Sequence, residues 1–192
     1  MFIDSHCHLN LEPLKDNLDH YIKQALEAKV SYMQTICTKL EDIDDLIAIA
    51  TKYDQVFASV GIHPNEALKL DDTLTDQLIN LSAHPKIIGL GETGLDYYRN
   101  HNDPKVQKVN FIAHIHAAQE TQLPIIIHAR DADEHIIDIL QSEMRNKPFK
   151  GLIHCFTGSK ELAFQSLDLG LYISLAGVIT FNNAKNLQEI VA

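Results

Sequence analysis

The chain alternates between two hydrophobic periods. Short apolar, β-branched runs stand at Phe2–Asp4, Tyr32–Cys37, Val56–Gly61, Ile87–Gly91, Pro124–Ile127, Gly151–Ile153 and Leu171–Leu175. Between them lie the stretches Leu14–Lys29, Ile43–Tyr53, Leu74–Ser82, Lys105–Thr121, Glu134–Arg145, Lys160–Leu169 and Ala184–Val191, which read as helices. The fourth shows the period: Val109, Ile112 and Ala113 form one i, i+3, i+4 set, and Phe111 with Ile115 another. Strands separated by helices predict a parallel sheet with right-handed crossovers. Seven units of about 27 residues fit a TIM-type (β/α)8 barrel better than an open doubly wound sheet, whose glycine-rich turn after the first strand is missing. The expectation is one α/β barrel domain over residues 1–192, with seven βα units present and the eighth missing at the C-terminus. Strands one and seven would then be open edges, prone to self-association.

Composition narrows the setting. With 192 residues the chain can bury a substantial core, and 45% hydrophobic and 22% charged residues are ordinary for a globular protein. No apolar run approaches the roughly 20 residues needed to cross a bilayer. Met1–Ile3 leads at once into Asp4 and His6, so no signal peptide is expected. Three scattered cysteines, Cys7, Cys37 and Cys155, make no disulfide framework and point to a reducing cytoplasm. A net charge of -10 excludes a broad electrostatic grip on nucleic acid. Phosphates remain accessible to an acidic protein if bound cations invert the local charge.

Candidate chemistry sits where the strands end. Of eleven histidines, His20, His84, His101 and His135 read as ordinary surface or packing residues. His114 and His116 form an H-x-H pair inside a helical pattern, where residues two apart diverge and cannot easily share an ion. His6 and His8 follow a strand, and i and i+2 of a strand point to one side. Their imidazoles can converge, whereas Cys7 between them faces away. Further apolar runs end on Glu92, His128 and His154. Gly91 and Gly94 flank that glutamate and permit close backbone approach. In a barrel all these strand ends open on one face, where four imidazoles and a carboxylate suit divalent metal.

The series "DSHCHL" (residues 4–9), "GIHP" (61–64), "GETGLDYY" (91–98), "PIIIHAR" (124–130) and "HCFTG" (154–158) resembles the TatD-family metal-dependent deoxyribonucleases, in order across the whole chain. The resemblance implies a barrel of amidohydrolase type, two divalent ions (magnesium, zinc or manganese) and phosphodiester hydrolysis of DNA, with single-stranded ends as the favoured substrate. It implies that His6, His8 and Glu92 hold one ion, and that Glu92 bridges to a second held by His128 and His154. His63 becomes a substrate-side histidine, with Tyr97, Arg130 and Thr157 near the mouth. Two departures stand out: Asn10 replaces the family's usual aspartate, and the metal-binding aspartate of strand eight has no counterpart. Two alternatives accompany the nuclease reading. One is an amidohydrolase of a small amide or lactone, disfavoured because "GLGETG" offers no lysine to carboxylate as a bridge. The other is a metal-binding remnant without activity.

Overall fold

In the computed structural model, which describes residues 1–67, 69–99 and 102–192, seven parallel strands lie side by side in chain order. They are β1 (Phe2–Cys7), β2 (Val30–Thr35), β3 (Val56–Val60), β4 (Ile87–Asp96), β5 (Ile125–Arg130), β6 (Gly151–Ile153) and β7 (Tyr172–Ile173). The helices are α1 (Leu18–Glu27), α2 (Ile43–Lys52), α3 (Leu74–Ser82), α4 (Pro104–Thr121), α5 (Asp133–Asn146), α6 (Lys160–Asp168) and α7 (Lys185–Val191). The sheet curls into a half-barrel of TIM type, and the curl carries His6 of β1 onto His154, just beyond β6. His101 lies outside the described residues.

Packing follows the hydrophobic pattern. Ile125, Ile126 and Ile127 are all buried, so β5 is covered on both faces, as its unbroken apolar run requires. On α2, Ile43, Leu46, Ile49 and Ala50 make the buried stripe. Burial fails at β1, where Phe2 and Ile3 are 64% and 63% exposed. Among the described residues β1 pairs only with β2, so its other side lacks cover.

Helix α4 is anchored at Asp103, whose carboxylate accepts from Lys105 N–H while Pro104 takes the first helical position. Of its two expected apolar sets, Phe111 and Ile115 are fully buried, whereas Val109 is 39% exposed. The buried face is completed by polar residues, Gln107, Asn110 and His114. Each is bonded to main chain at or beyond a strand end. Gln107 Oε1 accepts from Asp96 N–H (2.8 Å), Asn110 Nδ2 donates to Lys69 O (3.3 Å), and His114 Nε2 accepts from Ile62 N–H (3.0 Å). Helix α4 therefore grips the chain that leaves β3 and β4.

Several boundaries differ from the sequence pattern. The stretch expected to be helical from Leu14 opens with a 3-10 turn, Lys15–Asn17, before α1 begins. Strand β7 is two residues long, because its partner β6 offers only Leu152 and Ile153 for pairing. Most consequential, β4 does not stop at Gly91 but continues to Asp96, and β5 runs with it to Arg130. Gly91 (φ +123) and Gly94 (φ +138) make this continuation feasible. A Cβ at Gly91 would lie 2.5 Å from Ile126 O, and one at Gly94 2.0 Å from His128 O. Glycine lets the two main chains touch where any other residue would part them.

Candidate metal centre

The strand ends converge on a cavity of about 250 Å³ that contains His6, His8, His63, Glu92, His128 and His154. Glu92, on β4, stands at its centre. Its Oε2 lies 3.4 Å from His6 Nε2, and its Oε1 lies 3.1 Å from His128 Nδ1 and 3.9 Å from His63 Nε2. Two donor sets result, each with its ligand atoms within 4.8 Å of one another: His6, His8 and Glu92, and His63, Glu92 and His128. Glu92 belongs to both. His154 falls in neither set and stacks on His6 with ring centroids 3.3 Å apart and planes within 7°.

The electrostatics of these groups suit a cation. Burial opposes ionisation of Glu92, but the imidazoles of His128, His6 and His63 outweigh it and hold the carboxyl well below its usual range. Burial pushes His63 and His154 down to about 4, so both are neutral at physiological pH. His8 is lowered too, by burial and then by His6. Both ring nitrogens of His6 and Nδ1 of His8 and His154 are buried without any hydrogen-bond partner. Unpartnered buried nitrogens are costly in a closed fold and become favourable as donors to a cation. Neutral imidazoles around one carboxylate fit a divalent ion. Cys7 takes no part: its Sγ donates to Gln34 O, and burial, with Asp4 nearby, pushes the thiol up to about 12.

His63 differs from the other imidazoles. Its Nδ1 accepts from Asn65 N–H at 3.1 Å. In a neutral ring the proton must then sit on Nε2, which faces Glu92 as a donor. This ring offers the cavity a hydrogen bond rather than a lone pair.

The structure places Tyr97, Arg130 and Thr157 together along an adjoining cavity of about 440 Å³. The Tyr97 hydroxyl lies 3.0 Å from Nδ1 of His135, a residue that looked incidental in the sequence. The Arg130 guanidinium stacks 4.2 Å above the Tyr98 ring. A third cavity, about 320 Å³, shares Arg130 with the cavity beside Tyr97 and is lined also by Asn65, Asp96 and Arg99. Sequence reading missed these three. Asp96 carried a signal, since it stands at i+4 from Glu92 and an extended β4 puts both on one side. Away from the site, His116 pairs with Glu143 at 3.2 Å while His114 is buried, so the two diverge as helical geometry demands. Asn10 is buried with Oδ1 unpartnered.

The family model described as TatD related DNase matches residues 3–192. The chain belongs to the TatD-related DNases. This TatD-family chain is 36% identical over 191 residues to a metal-dependent hydrolase of Bacillus subtilis, YabD, whose own function is uncharacterized; the match spans 100% of this chain and 74% of that protein. It is 31% identical over 159 residues to the 3'-5' ssDNA/RNA exonuclease TatD of Salmonella typhimurium, covering 83% of this chain and 61% of the relative. The crystal structure of YjjV, a TatD homolog from Escherichia coli, superposes with a TM-score of 0.88 at 27% identity, over 100% of this chain and 74% of that one. As a TatD-family protein the chain is a metal-dependent hydrolase. No described helix is long and apolar enough to cross a membrane.

Proposed function

We propose that this hydrolase cleaves phosphodiester bonds at single-stranded DNA ends, with two divalent ions sharing Glu92. One observation carries the reading: the two oxygens of one buried carboxylate face separate imidazoles, His6 on one side and His128 on the other. His6 and His8 would hold the first ion with Glu92. His128 would hold the second ion with His154 rather than with His63, whose Nδ1 is already occupied by Asn65 N–H. Divalent ions held there would supply Lewis-acid charge for a phosphoryl group and for activating water near neutral pH.

The chain's own residues do the rest. His63 Nε2–H donates to a non-bridging phosphate oxygen. Arg99 and Arg130, which line one cavity, give an anion local compensation that the overall charge of -10 does not. The cavity beside Tyr97 and His135 also presents Asp131, Asp133 and Glu134, which repel phosphate. That side takes a base or sugar, with ring stacking worth about 1–3 kcal/mol per base.

The test is turnover of end-labelled single-stranded and duplex oligonucleotides with magnesium, manganese or zinc, beside small amide and lactone substrates. Stepwise release of mononucleotides from single strands, abolished by Glu92→Gln, supports the proposal. Turnover of an amide or lactone alone, or of nothing with metal bound, overturns it.

A further inference from the structure

His128 has a proton conflict, and its resolution identifies two positioning residues. Its Nδ1 lies 3.1 Å from Glu92 Oε1 and its Nε2 3.2 Å from Asp96 Oδ2. Both neighbours are carboxylates, which accept, and a neutral imidazole has one N–H to give. The two contacts compete for that proton.

Asp96 is built to win it. Gln107 brackets its main chain, accepting from Asp96 N–H at 2.8 Å and donating to Asp96 O at 3.2 Å. The carboxylate is 1% exposed. Its Oδ1 accepts from Arg99 N–H (3.0 Å) and its Oδ2 from Asn65 Nδ2 (3.2 Å). The group cannot swing away, and the remaining direction on Oδ2 faces His128.

We infer that Asp96 and Asn65 form one positioning unit that sets the Nε2–H tautomer in two neighbouring histidines, which turn opposite ring edges to the site. Asp96 draws the His128 proton to Nε2 and frees the Nδ1 lone pair for the ion shared with Glu92. Asn65, through its main-chain N–H, fills Nδ1 of His63 and leaves Nε2–H pointing into the site. The side chain of Asn65 binds Asp96 while its backbone binds His63, so one residue couples both choices. The rings lie 4.4 Å apart at 62°, yet one is a metal ligand and the other a hydrogen-bond donor. The inference rests on the proposed second ion.

Zinc titration of chelator-treated protein tests it, together with long-range proton–nitrogen NMR of the imidazoles. His128 is assigned by its loss in His128→Gln. In the native sequence His128 shows a downfield Nε2–H proton with or without zinc, and Asp96→Asn loses it. Asp96→Asn weakens the second zinc about 10–100-fold while the first, at His6 and His8, keeps its affinity. Asn65→Ala, which leaves both partners of the His128 contact in place, weakens the second zinc less. Absence of the downfield proton from the native protein overturns the inference, whatever the number of ions bound. So does an unchanged second zinc in Asp96→Asn, or an equal loss of both zincs with a fall in melting temperature, which marks a purely structural role. A native protein that takes up a single zinc overturns the two-ion function instead, and the Nε2–H proton alone then decides between the tautomers.

Discussion

The imidazole of His6 lies flat against that of His154, 3.3 Å away, although their strands are separated by four others in the sheet. Only curling of the sheet can bring them together. The contact joins a ligand of the first proposed ion to a ligand of the second, so removing either ring has a defined signature. Elemental analysis of Glu92→Ala should find both ions depleted, because the carboxylate is shared. His154→Ala and His128→Ala should each lose about one ion per chain. His63→Ala should keep both, since its Nε2 carries a proton. Full metal content in Glu92→Ala would refute the shared ligand.

Acid should destabilise the metal-free protein through His114 as well as through the site. Burial holds this ring at about 4, against 6.5 for an unperturbed histidine. Between those values the unfolded chain binds the proton and the folded one does not, so stability is complete above pH 6.5 and declines towards pH 4. The loss is on the order of a few kcal/mol. Urea midpoints from pH 7 to 4.5 should fall less steeply in His114→Leu, which starts from a lower plateau because Ile62 N–H loses its acceptor.

Gly94→Ala should be severe. The added methyl would sit 2.0 Å from His128 O, at a backbone φ of +138 that side chains avoid. A cost on the order of 3–5 kcal/mol is expected, together with loss of the second ion as His128 is displaced. Gly170→Ala provides the contrast: its φ of +82 is also positive, but nothing lies within 4 Å of the new methyl. It should cost about 1 kcal/mol from backbone strain alone. Chemical denaturation and metal analysis of the two variants separate crowding from strain.

Nucleic-acid binding should be local. With a net charge of -10 the surface offers a duplex little, and the compensating cations at the cavity are Arg99, Arg130 and the proposed ions. The dependence of single-strand affinity on salt should be shallow, about -0.7 per phosphate contacted. Arg130→Ala should weaken binding about tenfold or more and lower the salt slope. Tight metal-independent binding of long duplex at physiological salt would contradict the assignment.

Strand and helix order was legible in the sequence because each element keeps its own period. The convergence of His6, Glu92, His128 and His154 on one cavity was legible because each closes an apolar run. The far end of β4 was not. Gly91 and Gly94 look like punctuation in one dimension, and only the main-chain contact with β5 shows that they extend the strand. Asp96 was hidden by that early stop. The polar face of α4 was hidden for another reason. Gln107 and His114 are core residues whose partners, Asp96 and Ile62 main chain, lie 11 and 52 positions away. Periodicity registers apolar burial and is blind to a satisfied amide or imidazole. His63 was visible as part of "GIHP", but its tautomer depends on a hydrogen bond that no residue pattern encodes.

The proposed ligands come from β1 and the residue after it, from β4, β5 and the segment after β6, and among the described residues β1 is an end strand held by a single neighbour. Ions seated there act as rivets across the curl. Loading and folding then become one equilibrium: the melting temperature should climb with the logarithm of free ion concentration, about 1.4 kcal/mol per tenfold for each ion bound. In hydrogen exchange, the amides of β1 should slow on loading far more than those of β3, which contributes no ligand. For such a protein, metal supply governs how long the fold lasts as well as how fast it turns over.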